Sequence, residues 1–219
     1  LSDDLSGIGM VIVPGVEENP SNIKPAAAPT TYGTIQQLAD YLRVGFWDER
    51  YSISTGAKWD MSARSGIITY NTTGTNNSYD SNGISTARAA LAVEGFKYYS
   101  KIFGFTFTED TSGSADITFS DDESGAFSSH SVSGSGFYSP GQINVNSVWT
   151  GESEDNGYAY TTFIHEIGHS LGLGHLGGYN AEEGVTNYWT SSNWANDSKA
   201  ISTMSYILNS QNPNIDAKY

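Results

Sequence analysis

Between Thr161 and His175 the chain reads Thr-Thr-Phe-Ile-His-Glu-Ile-Gly-His-Ser-Leu-Gly-Leu-Gly-His, and three of its 4 histidines fall in this run. His165 and His169 stand four residues apart. On an α-helix that spacing sends both imidazoles out of one face, about 6 Å apart along the axis, which suits two ligands of one metal ion. Gly172 sits where the helix should stop, because glycine accepts the left-handed backbone that turns a chain away from a helix end. The turn brings His175 back as a third ligand. Three protein ligands leave a tetrahedral zinc one position for water, the arrangement of a catalytic site. Structural zinc takes four ligands, mostly cysteine, and this chain has no cysteine. Glu166 lies beside the histidines without being a ligand, in place to act as a base. Three histidines also bind other divalent ions, so the pattern alone does not select zinc.

The rest of the chain must position this helix. Ile164, Ile167 and Leu171 recur at i, i+3 and i+7 on its opposite face and dock it on a core. Upstream, Thr34 and Gln37 form a capping box for a helix carrying Ile35, Leu38 and Leu42 that ends near Gly45. Trp47 and Trp59 bracket a polar segment, and Ile67 to Tyr70 reads as a first strand. After a loop from Thr72 to Gly83, a long helix is expected from Ile84 to Phe103. Its stripe of Ile84, Ala87, Leu91, Tyr98 and Ile102 faces a core, and Gly104 is its stop. Short strands follow at Phe105 to Glu109, Ile117 to Phe119, Ala126 to Phe127 and Gln142 to Asn146. Asp121, Asp122 and Glu123 read either as a solvated loop or as calcium ligands, and His130 reads as a surface-loop residue, the alternative being a substrate contact or a second metal site. This order of elements predicts an α/β (α+β) domain with a twisted mixed five-stranded sheet, two long helices and an irregular lower subdomain, the cleft lying between sheet edge and lower part.

Taken together, His165-Glu166-x-x-His169-x-x-Gly172-x-x-His175 and Ser202-Thr203-Met204-Ser205-Tyr206 resemble the metzincin zinc proteases with their methionine turn. Met204-Ser205-Tyr206, with Gly178-Tyr179-Asn180-Ala181 after the third histidine, is similar to the serralysin branch of secreted bacterial alkaline proteases. The resemblance runs from Tyr32 to about Ile207 through Tyr41-Leu42, Phe46-Trp47, Ile67-Ile68-Thr69-Tyr70 and Ala115-Asp116-Ile117-Thr118-Phe119. It departs at Leu176, where serralysins usually have proline, and at Gly178, where they commonly have aspartate.

The resemblance implies a secreted, extracellular zinc metalloendopeptidase with Glu166 as general base. Tyr206 would be a resting zinc ligand that swings away to donate a hydrogen bond, and Met204 would support the ligands from below. The strand at Ala126 and Phe127 would be the upper edge along which substrate lies as an added strand, a mode that tolerates many sequences. Tyr188, Trp189 and Trp194 either wall the side-chain pocket beyond the scissile bond or pack the interior. Polypeptides would be the substrates. A C-terminal calcium-binding repeat region, absent here, or a protein inhibitor would be further partners, and Ca2+ a second candidate ion beside Zn2+. The closing C-terminal helix of a serralysin protease domain is also not seen, so the chain reads as a fragment, a nicked chain or a shortened variant. The alternatives are a zinc hydrolase of a non-protein ester or amide, and a noncatalytic metal-dependent binding module.

Composition narrows the partners. Ten basic against 24 acidic residues leave a net charge of -14, which argues against nucleic acid and anionic membranes. No run of about 18 apolar residues is present to span a bilayer. Residues 1–31, with Pro14, Pro20, Pro25, Pro29 and the run Ala26-Ala27-Ala28, read as a flexible arm or a pro-segment remnant ahead of a catalytic domain over residues 32–219. The start at Leu1, with no basic signal-peptide region, suggests a processed or trimmed product.

Overall fold

Alternating short runs become one twisted sheet, and two helical stripes become the helices that back it. The computed structural model describes residues 10–12, 28–149, 157–181 and 188–215. The five expected strands form at β2 (Ile67–Asn71), β3 (Thr106–Glu109), β4 (Ile117–Ser120), β5 (Ala126–Ser129) and β6 (Gly141–Val145). A sixth, β1 (Met10–Ile12), joins them, giving the order β1-β5-β6-β4-β2-β3. β2, β3, β4 and β6 run parallel, and β5 is antiparallel to β6. β1 pairs parallel with β5, Met10 opposite Phe127 and Ile12 opposite Ser129. The N-terminal arm is therefore met in the fold as an edge strand, while residues 1–9 and 13–27 lie outside the described residues.

The first helix begins as its capping box dictates. Thr34 Oγ1 accepts from Gln37 N, and Thr34 N donates to Gln37 Oε1. It does not stop at Gly45 as expected. α1 (Ile35–Asp40) continues through a π-helical turn, Tyr41–Gly45, into α2 (Phe46–Tyr51), and the left-handed stop is Ser52 at φ 57°. Gly45 stays helical at φ -59° because its lack of a side chain is used for packing, a Cβ there falling 2.4 Å from the Tyr41 ring. Leu38 is buried, whereas Ile35 is 87% exposed. A short helix, α3 (Met61–Arg64), leads into β2.

The long helix α4 (Thr86–Phe103) starts two residues later than expected, with Ser85 as N-cap accepting from Arg88 N, and stops at Gly104, φ 73°. Its buried face is Arg88, Leu91, Ala92, Gly95, Phe96 and Tyr99. The expected stripe was partly on the wrong face, since Tyr98 and Ile102 are 46% and 54% exposed and Ala87 is exposed too. Small residues decide the matter. A Cβ on Gly95 would lie 2.8 Å from Ile167 Cδ1, so the close crossing with α5 (Tyr158–Ser170) is made where side chains are missing. Buried Arg88 fastens the same helix to the sheet, pairing with Asp121 at 3.4 Å and donating to the carbonyls of Val145 and Asn146.

Candidate active site

From Thr162 to Ser170 every residue of α5 is buried, so its final carbonyls need partners other than water. Aromatic donors supply them. Tyr138 Oη donates to His169 O at 2.7 Å, Trp59 Nε1 to Ser170 O at 2.7 Å, and Trp47 Nε1 to Gly172 O at 2.8 Å. Gly172, at φ 96°, lies against the backbone of Ala57, where a Cβ would stand 2.3 Å from the Ala57 carbonyl oxygen. Those contacts fix the turn that returns His175 to the helix.

The three histidines meet as the spacing predicts. His165 Nδ1 donates to Thr203 O at 2.7 Å, His169 Nδ1 to Leu173 O at 2.7 Å, and His175 Nδ1 to Tyr179 O at 2.8 Å. A carbonyl only accepts, so each proton sits on Nδ1 and each Nε2 presents a lone pair. Burial, then the neighbouring imidazoles, hold His175 well below the usual histidine range and therefore neutral. The Nε2 of His165 lies 2.9 Å from that of His169 and 3.3 Å from that of His175. Lone pairs cannot bond to one another across such gaps. Bonds of 2.0–2.1 Å to a tetrahedral ion put donor atoms roughly 3.3 Å apart, so the donor set fits zinc.

Glu166 is wholly buried, and neither carboxylate oxygen has a hydrogen-bond partner among the described residues. Burial raises its pKa well above the ordinary value. Gly168 lets the methionine turn approach from beneath: a Cβ there would stand 2.6 Å from both Met204 Sδ and Tyr99 Oη. Tyr206 is brought in as well, its ring centroid 4.3 Å from that of His175 and 5.6 Å from that of His165. Around it lie Tyr179 and Tyr188, and Tyr188 and Trp189 are buried in that cluster as packing. The Gly178 departure has a local cause, since a Cβ there would come 3.1 Å from a Glu49 carboxylate oxygen. Leu176 is fully buried.

Other expected residues fall elsewhere. Ala126 is buried and Phe127 half-buried in β5, on whose outer edge β1 lies. Asp80 joins Asp121 and Asp122 in an acidic cluster, but Asp80 accepts from the backbone of Asn82, Gly83 and Asp121, and Asp121 pairs with Arg88. Glu123 is not in that cluster. His130 is not a surface residue. It is 3% exposed, with Nε2 2.9 Å from Ser170 Oγ, Nδ1 3.1 Å from Ser139 O, and Trp59 packed on its ring. Sequence reasoning missed this partner set because it joins three separate segments. It also missed Asp197, which accepts from Tyr179 Oη at 2.9 Å and Ser192 Oγ at 2.7 Å, Tyr179 itself being stacked on His175. Lys199 was overlooked too. It stands with Thr203 across from Thr161 and Thr162 around a cavity of about 130 Å³ that reaches His165 and Glu166.

A mixed sheet in which β5 runs antiparallel to β6, a histidine helix beneath it and a methionine turn under the three imidazoles define a metzincin-type metallopeptidase domain. Residues 58–182 match the family model for matrixin, peptidase family M10, and the chain belongs to that family. Among curated relatives, metallopeptidase AprA of Pseudomonas marginalis is 36% identical over 133 residues, 57% of this chain and 27% of that protein. Serralysin of Proteus mirabilis is 30% identical over 183 residues, 73% of this chain and 36% of that protein. Serralysin B of Dickeya chrysanthemi is 43% identical over 77 residues, 35% of this chain and 15% of that protein. The chain thus spans little more than a third of these relatives at most. A crystal structure of myroilysin superposes with a TM-score of 0.39 at 17% identity, over 74% of this chain and 60% of that one.

Proposed function

We propose that this chain is the catalytic domain of a secreted zinc metalloendopeptidase that cuts internal peptide bonds of proteins. The observation that carries the reading is the unpartnered, wholly buried Glu166 carboxylate beside three imidazoles whose Nε2 lone pairs converge. A site that only bound metal would have no use for such a base. Zinc held by His165, His169 and His175 would supply a Lewis acid that polarises the scissile carbonyl and lowers the pKa of water to about 7. Glu166 takes the proton from the attacking water and hands it to the departing amine. Tyr206, packed against His165 and His175, would add its phenol to the residues holding the ion and would donate a hydrogen bond to the oxygen that becomes negative. The carbonyls of Thr203, Leu173 and Tyr179 keep the imidazoles oriented throughout.

Substrate would lie along β5 at Ala126 and Phe127, held by backbone hydrogen bonds that make little demand on sequence. β1 lies on that edge. Residues 1–31 then serve as a pro-segment whose strand must leave before a peptide docks, ahead of a catalytic domain over residues 32–219. Secretion, calcium binding and a C-terminal repeat region belong to the same reading by likeness to the serralysins.

The test is digestion of a diverse peptide mixture by the zinc-loaded chain, with new termini identified by mass spectrometry beside a Glu166→Ala control and a chelated sample. New internal termini absent from both controls are expected. The digestion is run with the chain as it stands and with residues 1–27 removed, and folded, zinc-loaded samples that make no new termini in either form would sink the reading.

A further inference from the structure

The cavity beside Glu166 has a mostly apolar lining that carries a single cation. Thr161 and Thr162 come from α5, Thr203 and Lys199 from the segment that leads into Met204, and His165 and Glu166 close its inner end. Of its ionisable groups, His165 and Glu166 are committed to the reaction, and Lys199 is the one cation among the described residues lining it. Lys199 forms no ion pair with any described carboxylate, and its backbone N–H is held by Ile207 O at 2.9 Å, which ties the residue to the wall behind the methionine turn. Thr162 is buried, while Thr161, Thr203 and Lys199 are exposed at the rim. The arrangement is an ammonium and three hydroxyl-bearing residues around a space that accommodates one side chain.

Geometry also says which side chain enters. Glu166 delivers its proton to the departing amine, so the residue that carries this amine passes next to Glu166, and its side chain faces the adjoining cavity. We propose that Lys199 is a specificity-determining residue that selects aspartate or glutamate at the position immediately after the scissile bond. This rests on the peptidase reading above. An ammonium partly withdrawn from water gains from a carboxylate partner, and loss of hydration already lowers the Lys199 pKa. The Thr161 and Thr162 hydroxyls already donate to the Tyr158 carbonyl, so the ammonium is the group that meets the carboxylate. The chain's charge of -14 repels acidic peptides only at long range, and salt screens it beyond about 8 Å. Within the cavity Lys199 acts at contact distance. Other positions of the substrate, held through backbone, stay permissive.

The test uses the full zinc-loaded chain and an equimolar set of internally quenched peptides that differ only at the residue after the cut, with new amino termini read by mass spectrometry. The parent should favour aspartate and glutamate over lysine and arginine in kcat/KM by about tenfold. Lys199→Gln should flatten the series, and Lys199→Glu should invert it toward lysine and arginine. The parent's acidic preference should also shrink as salt is raised. Cleavage with no acidic preference, or a preference unchanged in Lys199→Glu, overturns the assignment while leaving the peptidase reading intact. Absence of cleavage for every peptide by the chain both with and without residues 1–27, with folding and zinc content verified, overturns both.

Discussion

Glu166 is the residue at which stability and function pull apart. Its carboxylate is buried with no hydrogen-bond partner among the described residues and its pKa is raised, an arrangement that costs the fold and would serve the proposed reaction. Glu166→Gln should therefore keep metal stoichiometry, lower turnover by about 10²–10⁴-fold and raise the unfolding midpoint near neutral pH. Metal analysis, kinetics and urea titration on one preparation check all three. Retained turnover would remove Glu166 from the mechanism. The convergence of His165, His169 and His175 beside Glu166 was legible from spacing alone, because one helix and one glycine turn put them in register. Asp197 and Lys199 were not. Each sits in an irregular segment where no period predicts direction, and each acquires its setting from residues distant in sequence.

At the scale of elements, five strands could be placed from their alternation, whereas the face of α4 could not be placed from large apolar residues. Its crossing with α5 depends on Gly95 and Ala92, and its anchor is a buried arginine. Arg88→Met should destabilise the fold by about 3–5 kcal/mol, since Asp121 would stay buried without its cation. Adding Asp121→Asn should recover part of the loss, and denaturation of the single and double variants measures this. No recovery would mean that the carbonyl bonds to Val145 and Asn146 matter more than the ion pair. The joining of β1 to β5 was hidden for another reason, as three residues carry too little pattern to announce a strand. Deleting residues 1–27 should lower KM for peptides, the new edge being open, with kcat little changed. An unchanged KM would count against the pro-segment.

For the whole molecule, two buried groups titrate in opposite senses. Burial pushes the His130 imidazole down to about 4 from 6.5, so its contribution is complete above pH 6.5 and is lost as pH falls through 4. The amount is about 3 kcal/mol. Asp197 is pushed up to about 6 from 3.8 by burial, so its ionised form weakens the fold above pH 6, and that penalty is relieved as pH falls to 3.8. It too amounts to about 3 kcal/mol. The two nearly cancel between pH 6.5 and 4. Relative to the parent, Asp197→Asn should lose more stability on acidification over this range, and His130→Gln should lose less. Urea midpoints at pH 7 and 4.5 decide it, and parallel shifts in both variants would refute the opposition.

The carbonyl anchors of the three imidazoles lie in different stretches of chain, at Leu173, Tyr179 and Thr203. An ion at their Nε2 atoms would therefore act as a reversible staple, joining the helix, its return loop and the methionine turn in a protein with no disulfide. Loading should add about 4 kcal/mol at a thousandfold excess over its dissociation constant. Chelation should then loosen the lower subdomain before the sheet, seen as amide exchange that quickens around residues 173–206 while β4 and β6 stay protected.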